Sequence, residues 1–366
     1  MKGTDYPSGV NKSDMNQAIM WMMAAGAVAG GLDRLMGNRF GLGKKFEEGF
    51  LLLGTTALSM AGIICLAPLL SSGLKMAVVP LWRSLGLDPA ILGGILAIDM
   101  GGYQLATELA ADADVGRYAG IIVAATFGCT VTFTIPVGMG MLEKKDRAGF
   151  AKGILIGAGC LPVGLLVGGI LCSLAPGVIV LQSLPVLLTA GLLMAGIWKF
   201  PDKMLRGFSV FAALIRVLTT VGLVLGAVAY MTGWKAIAQM ESIENAMEVV
   251  SSIGIVMLGS LPVAELLQRL LKKPLAWIGR KTGMNSSSIA GLLMGTVSVV
   301  PAIAMMKNMD ARGKVVNAAF AVCAASAMAA HMGFTFGAEP DLVVPLLAAK
   351  FTGGIAGAAA ALLLTK

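Results

Sequence analysis

The sequence has 366 residues, of which 57% are hydrophobic and only 13% are charged, and its mean hydropathy is +0.83. Soluble domains carry about a quarter charged residues, so this composition excludes an ordinary soluble enzyme and indicates a membrane protein. The net charge of +8 fits the excess of Lys and Arg in the cytoplasmic loops of such proteins, so we predict a lipid bilayer and no nucleic acid as partner. The 48 glycines and 24 methionines are typical of closely packed membrane helices.

Residues 1–14 are polar and show none of the regions of a secretory signal peptide. The rest of the chain, 15–366, is predicted to be a single all-α transmembrane domain, because it contains eleven segments near the length of about 20 apolar residues that a span needs. The segments are 15–36, 49–70, 90–109, 118–142, 150–174, 178–198, 208–232, 249–271, 288–306, 315–335 and 342–364. Two shorter stretches, 75–87 and 274–282, combine Trp with Lys or Arg and are predicted to be interfacial helices.

An internal repeat is indicated where residues 85–117 align without gaps with residues 282–314, at an offset of 197 (282 minus 85). The aligned pairs include Gly86 with Gly283, Gly94 with Gly291, Gly116 with Gly313, and Arg117 with Lys314. We therefore predict two structural repeats joined by further spans. The first repeat covers about 47–142, the linking spans 150–232, the second repeat about 248–335, and the final span 342–364.

The distribution of basic residues predicts the topology, because Lys and Arg concentrate in cytoplasmic loops. The loops predicted to be cytoplasmic are 34–45, 144–152, 199–206, 269–281 and 307–314. The acidic loops 233–247 and 337–341 are predicted to lie outside. This scheme holds if 90–109 and 288–306 are interrupted, re-entrant segments, which makes the two repeats inverted, as in many secondary transporters. In the alternative, the two interfacial stretches cross the membrane instead.

Asp99 is the first candidate binding residue, because an ionisable side chain inside a span is costly and commonly functional. Its segment is interrupted by two glycines, and Tyr103 follows closely. A carboxylate and an aromatic ring are groups that bind an ammonium ion. Alternatively, Asp99 only caps backbone amides at the break. Gln104 and Glu108 share one helix face, and Glu108 could equally mark the interfacial end of the span.

In the second predicted repeat the break falls at Ser298 and Pro301, where the proline removes a backbone donor and leaves carbonyl groups exposed. His331 is the only histidine, and it could bind substrate or carry a proton, or simply pack with a hydrogen bond. Three uncharged candidates complete the predicted binding site: Thr130, Asn317 and Ser326. Such side chains often hydrogen-bond the backbone of their own helix, so each alone is a weak indication.

Motifs for catalysis are missing from the sequence. The five cysteines lie in apolar runs without CxxC or CxxH spacing, which is typical of buried thiols rather than of disulfides or a zinc site. There is no Walker A loop, no HExxH and no GxSxG. We therefore expect no cofactor, no metal and no ATP-driven pumping, and the chain is not predicted to be an enzyme.

Four stretches of the sequence resemble a known family. FEEGF at 46–50, DMGGYQLATEL at 99–109, MMKNMDARGKVVNAAFAV at 305–322 and HMGFTF at 331–336 resemble the ethanolamine permeases of bacterial ethanolamine-utilisation systems. The resemblance extends from about Met15 to the C-terminus. It implies uptake of ethanolamine across the bacterial cytoplasmic membrane to feed an ammonia lyase in a microcompartment. Ala330 stands where relatives often have Asp, which weakens a proton relay through His331, and Thr107 replaces a commonly basic residue.

The predicted function is uptake of ethanolamine by facilitated diffusion or secondary transport through a site near Asp99. Alternatives are a transporter of another small amine or of a nucleoside-like solute, an integral-membrane enzyme acting on lipid head groups, and a structural scaffold. The small residues at 353–361 permit close helix contact within one chain or between two copies, so a homo-oligomer is left open.

Overall fold

The computed structural model describes residues 12–96 and 102–365, and these residues form helices joined by short turns, with no strand. The helices are α1 Lys12–Leu35, α2 Leu42–Ala77, α3 Val79–Ser84, α4 Ala90–Leu96, α5 Gly102–Leu109, α6 Ala113–Tyr118, α7 Ile135–Met141, α8 Lys144–Gly159, α9 Leu161–Leu171, α10 Pro176–Lys199, α11 Pro201–Thr232, α12 Ile243–Thr282, α13 Ser286–Val297, α14 Val299–Met305, α15 Ala311–Ala324, α16 Ala330–Ala338 and α17 Val343–Leu364. Between α6 and α7 the chain is π-helical over Ala119–Gly128 and Thr130–Thr134.

Six helical runs among the described residues are long and apolar enough to cross a membrane. They are Leu42–Ala77, Ala113–Met141, Pro176–Lys199, Asp202–Thr232, Ile243–Thr282 and Pro340–Leu364. Helices α8 and α9, which are bent by 41° relative to each other, can form a seventh. The all-α multi-pass prediction is confirmed. The count of eleven segments stays a prediction, because the remaining segments are shorter or less apolar helices.

Local sequence signals explain where the long helix α12 begins and ends. Ser242 precedes it, and the Ser242 hydroxyl accepts a hydrogen bond from the backbone N–H of Asn245 at 3.2 Å. Gly283 follows it with φ +72°, a left-handed conformation in which a Cβ atom is unfavourable. A serine before the first turn and a glycine after the last are the preferred end residues of helices.

The predicted interfacial stretches are not two separate helices of the same kind. In 75–87, α2 extends to Ala77, and the short helix α3 follows it. In 274–282, the chain simply continues α12 to its last residue, Thr282. The Trp and Lys residues of these stretches therefore lie near the ends of long helices or in the short helix α3.

The predicted segment 90–109 folds as the helix pair α4 and α5. A Cβ atom on Gly93 would lie 2.4 Å from the backbone nitrogen of Ala106, so the two helices touch through their backbones. At the other end of the pair, the Asp88 carboxylate accepts hydrogen bonds from the backbone N–H groups of Ala111 and Asp112 at 3.2 and 2.9 Å. The helices are therefore antiparallel, and the two ends of the hairpin meet at Asp88.

The predicted segment 288–306 forms a second antiparallel pair, α13 and α14. The backbone N–H of Asn285 donates to the Asp310 carboxylate at 2.9 Å, and the Asn285 amide nitrogen donates to the carbonyl of Asn308 at 2.9 Å. The start and end of this pair therefore also lie side by side. A re-entrant segment requires this geometry, and the re-entrant assignment itself stays a prediction.

The two halves of the chain share local features at positions related by the offset of 197. Gly86 has φ +70° and Gly283 has φ +72°, and each begins the turn that leads into a short helix pair. The aligned residues Asp88 and Asn285 both use their side chains to bind the backbone N–H groups that follow them. The prediction of two inverted repeats is compatible with these correspondences.

We expect replacement of Asp310 by Asn to destabilise the base of the second helix pair. Asp310 accepts hydrogen bonds from the Ser288 hydroxyl at 2.6 Å and from the backbone N–H groups of Asn285 and Gly313 at 2.9 and 3.0 Å. Partial burial alone would raise the pKa of Asp310, but these hydrogen bonds outweigh it and hold the pKa below the ordinary value of 3.8. Loss of the capping charge should reduce stability by about 1 kcal/mol at pH 7, measured by thermal unfolding in detergent.

The pH dependence has a defined sign. A depressed carboxyl pKa contributes stability that is complete above the unfolded pKa and is lost as the pH falls through the folded pKa. The difference between the wild type and Asp310→Asn should therefore shrink as the pH falls below the ordinary value of 3.8. Exposed Asp202, changed to Asn, is the control. An equal loss for the control, or a difference that grows at low pH, would contradict the prediction.

Candidate functional site

A cavity of about 440 Å³ lies between α2, α11, α16 and the π-helical run that follows α6. This volume accommodates a small organic solute together with water. The residues that line it are Thr55, Leu58, Ser59, Gly120, Ile121, Ala124, Ala125, Cys129, Thr132, Phe133, Phe211, Ala212, Ile215, Arg216, Thr219, His331, Phe334 and Thr335. Helices from both predicted repeats and from the linking spans therefore contribute to one cavity.

Hydroxyl groups in the cavity wall present acceptor oxygens. Thr55, Ser59, Thr219 and Thr335 each donate their hydroxyl proton to a backbone carbonyl within their own helix, at 2.8 to 3.0 Å. The donor is used inside the helix, so the oxygen lone pairs remain for a ligand that donates hydrogen bonds. Arg216 is the one charged residue among the described residues of this wall.

His331 is the lining residue with the most specific chemistry. It is 6% exposed, and its Nδ1 lies 3.1 Å from the carbonyl oxygen of Ala325. A carbonyl only accepts, so we assign the proton of the neutral imidazole to Nδ1. The other ring nitrogen, Nε2, then carries a lone pair and can accept a hydrogen bond from an N–H or O–H of a ligand.

Tyr103 lies directly behind the cavity wall. Its ring contacts the ring of Phe334 edge to face, with 5.7 Å between centroids. A Cβ atom on Gly120 would lie 2.8 Å from the Tyr103 ring, so the two residues are in contact. The Tyr103 hydroxyl donates to Glu339 at 2.7 Å, and the same carboxylate accepts from Arg117 at 2.8 Å. This network joins the first helix pair to α16 at one edge of the cavity.

Among the described residues, the candidates Gln104, Glu108 and Thr130 of the first predicted repeat do not line this cavity. Asp99 lies outside the described residues. Gln104 is half-buried, and its side-chain oxygen has no hydrogen-bond partner within the described part of the chain. Glu108 accepts a hydrogen bond from the Ser71 hydroxyl, which connects α5 to α2. Thr130 donates to the carbonyl of Val322 at 2.6 Å and so joins the π-helical run to α15.

The candidates on the second predicted repeat lie at helix ends or make hydrogen bonds with the backbone of a neighbouring helix. Ser298 is extended and separates α13 from α14, whereas Pro301 is exposed in the first turn of α14, where no backbone donor is required. The Asn317 amide donates to the carbonyls of Ser288 and Gly313 at 2.8 and 2.9 Å. Ser326 has φ +54°, and its backbone N–H donates to the carbonyl of Gly295 at 2.8 Å. Of the predicted binding residues, His331 lines the cavity and Tyr103 backs it.

Lys350 was not among the residues predicted from the sequence, although it lies next to this cavity. It is fully buried on α17, and its Nζ donates to the carbonyl of Ala125, a lining residue. A signal was available, because Lys350 is the one charged residue in the apolar stretch 342–365. The hydroxyls from α2 and α11 gave no such signal, because isolated Thr and Ser residues are common in spans.

The described residues contain no cluster of three or more His, Cys, Asp or Glu side chains that could hold a metal ion. The buried carboxylate of Asp146 instead accepts a hydrogen bond from Lys314 at 2.7 Å. The wall of the cavity presents hydroxyl acceptors, aromatic rings, one imidazole and the Arg216 guanidinium group.

Comparison with known sequences places this architecture in a family. The sequence model described as "Ethanolamine utilisation protein, EutH" matches residues 15–364. The chain belongs to the EutH family. It is 38% identical to the probable ethanolamine permease EutH of Listeria monocytogenes serotype 1/2a (strain 10403S), over 94% of this chain and 93% of that protein. It is 34% identical to the probable ethanolamine permease EutH of Salmonella typhimurium, over 96% and 95% of the two chains.

A further relative is the uncharacterized protein YxeR of Bacillus subtilis (strain 168), 36% identical over 96% of this chain and 95% of that protein. No solved structure matches the chain. The family resemblance predicted from four sequence stretches is confirmed, and its expected extent from about Met15 agrees with the matched residues. The chain is a multi-pass membrane transporter, since two of these relatives are named probable permeases and several of its helices can cross a membrane.

Proposed function

We propose that this EutH chain takes up ethanolamine across the bacterial cytoplasmic membrane, by facilitated diffusion or secondary transport. The observation that carries the proposal is the match over residues 15–364 to a family whose members include probable ethanolamine permeases. The cavity supports it chemically. Protonated ethanolamine presents N–H donors at one end and a hydroxyl at the other, and the described wall supplies acceptors for both.

His331 Nε2 and the oxygens of Thr55 and Ser59 are acceptors suited to the ammonium and hydroxyl protons. The rings of Phe133 and Phe334 supply apolar faces that also attract a cation. Asp99, which lies outside the described residues, stays a proposed hydrogen-bond acceptor for the ammonium group. The role proposed for the other predicted residues is indirect, since they hold the helix breaks that shape the cavity.

Uptake of radiolabelled ethanolamine into proteoliposomes tests the proposal, with and without a pH gradient. Saturable uptake by the wild type that is lost in Asp99→Asn is the expected result, and dependence on the gradient would identify proton coupling. An absence of protein-dependent uptake under every gradient would refute ethanolamine transport. Stronger competition by other small amines than by unlabelled ethanolamine would assign the site to a different amine.

Replacement of His331 separates an acceptor role from simple packing. His331→Ala should reduce ethanolamine uptake at least tenfold, because one lost hydrogen bond to a charged group is worth about 1.5–3 kcal/mol. His331→Gln should retain more uptake, because the Gln oxygen can accept in place of Nε2. Uptake unchanged in His331→Ala, with normal protein levels in the membrane, would show that the imidazole does not contact the substrate.

A further inference from the structure

Lys350 is a buried cation inside a membrane helix. It lies on α17, none of its surface is exposed, and residues 342–349 and 351–365 around it are uncharged. An ionisable side chain at such a position is costly and usually has a function in a transporter. If Lys350 only filled space in the core, an apolar residue of similar length, such as Met, would do so without the cost of burying a charge.

The surroundings of Lys350 connect it to the cavity. Its Nζ donates to the carbonyl oxygen of Ala125, a residue of the π-helical run that lines the cavity. The titratable groups that face it from the neighbouring elements are Cys129 on the π-helical run, Cys323 on α15 and His331 on α16. Within the described part of the chain, no carboxylate is in ion-pair contact with Lys350. Its charge is therefore held by a carbonyl dipole at the wall of the cavity.

A cationic ligand in the cavity makes the positive charge on Lys350 less favourable. Two positive charges on either side of one helix wall repel each other, and the repulsion is strong because little water screens it. A lysine can relieve the repulsion by releasing a proton. The neutral amine still carries N–H groups, so its hydrogen bond to Ala125 can persist.

We propose that Lys350 is the proton-exchanging residue of this transporter: binding of the ammonium form of ethanolamine in the cavity releases one proton from the Lys350 ammonium group. The step balances, since one monovalent cation enters the site, the Nζ–H bond breaks, and one proton passes to the solution. The site has the same total charge before and after binding. This proposal rests on the proposed function and adds to it the residue that links substrate to protons.

Proton release on binding tests the proposal with purified protein in detergent. Ethanolamine is added at a pH where it is protonated, binding is followed calorimetrically, and the proton yield is read with an indicator dye in weak buffer. The wild type should release close to one proton for each ethanolamine bound. Lys350→Met should bind ethanolamine with no proton release. Lys350→Arg should bind at least tenfold more weakly and release none, because Arg stays charged.

A second measurement does not depend on the Met variant being folded. The affinity of the wild type for ethanolamine should rise up to tenfold for each pH unit while Lys350 is protonated, whereas the affinity of Lys350→Arg should not change with pH. Equal proton release, or an equal pH dependence, in the wild type and Lys350→Arg would overturn the proposal, because the substrate would then bind as the free base or another group would titrate. An absence of ethanolamine binding by folded wild-type protein would instead refute the proposed function.

Discussion

Replacing Asp146 by Asn should destabilise the folded protein by about 3 kcal/mol, because it leaves a partly buried ammonium group without its partner. The Asp146 side chain is 2% exposed and the Lys314 side chain is 17% exposed, and their charged atoms are 2.7 Å apart. The pair joins α8 to α15, which pack along each other. Denaturant unfolding in detergent micelles at pH 7 measures the loss.

Two comparisons make this prediction specific. Glu48→Gln breaks the exposed pair between Lys45 and Glu48, and such surface pairs contribute only about 0–1 kcal/mol. The double variant Asp146→Asn, Lys314→Met should recover part of the lost stability, since the unpaired charge is gone. If Asp146→Asn were no worse than Glu48→Gln, then water or a neighbouring dipole would stabilise Lys314 well enough without the carboxylate.

Replacing Gly62 by Ala should destabilise the protein by about 3 kcal/mol, and Val at this position should prevent folding, since overpacking at a rigid contact costs about 1–3 kcal/mol and more for larger side chains. Gly62 lies where α2 crosses α11. A Cβ atom there would lie 1.8 Å from the carbonyl oxygen of Thr219, and one on Gly222 would lie 2.0 Å from the carbonyl oxygen of Gly62. Both obstacles are backbone atoms, so no side chain can turn away.

Gly54 provides a control on the same helix. A Cβ atom on Gly54 meets nothing within 4 Å, so Gly54→Ala should be neutral or stabilise α2 by up to about 1 kcal/mol through helix propensity. Yield of monodisperse protein and thermal unfolding in detergent measure both variants. Equal stability of Gly62→Ala and Gly54→Ala would show that the two helices can separate at their crossing without loss.

The crossing of α2 and α11 also forms one side of the cavity. Thr55 and Ser59 on α2 face Thr219 on α11 across it. Gly62 and Gly222 set the distance between the helices just beyond these hydroxyls. A change in this spacing should therefore affect uptake as well as stability, and uptake per folded molecule in Gly62→Ala would reveal it.

Much of the fold follows from the sequence alone. Long apolar runs predict the spanning helices, because no other backbone structure except a closed barrel satisfies its hydrogen bonds in lipid. The glycines around 101 and Ser298 predict breaks, and the structure divides those segments into α4 with α5 and α13 with α14. The stretches at 46–50 and 305–322 indicate the EutH family. These signals are local, so they can be read along the chain.

The candidate site could be predicted only in part. His331 was found because an imidazole in a membrane segment is unusual, and the structure places it in the cavity wall. Asn317 also has a polar side chain, but its amide donates to two backbone carbonyls and joins α15 to α13. Lys350 is the one charged residue in the apolar stretch 342–365, but its contact with the cavity wall depends on the packing of α17 against the π-helical run.

Composition, segment length and local motifs depend on neighbours along the chain, so the amino-acid sequence was enough to predict an all-α membrane transporter of the EutH family. Which residues share a cavity, and which charges form ion pairs, follows only from the packing of the helices. The ion pairs of Arg117 with Glu339 and of Lys314 with Asp146 join residues that are far apart in the sequence. Such contacts depend on the rotation of each helix about its axis and on the distance to which its glycines let a neighbouring helix approach. Both are fixed by the packing between helices.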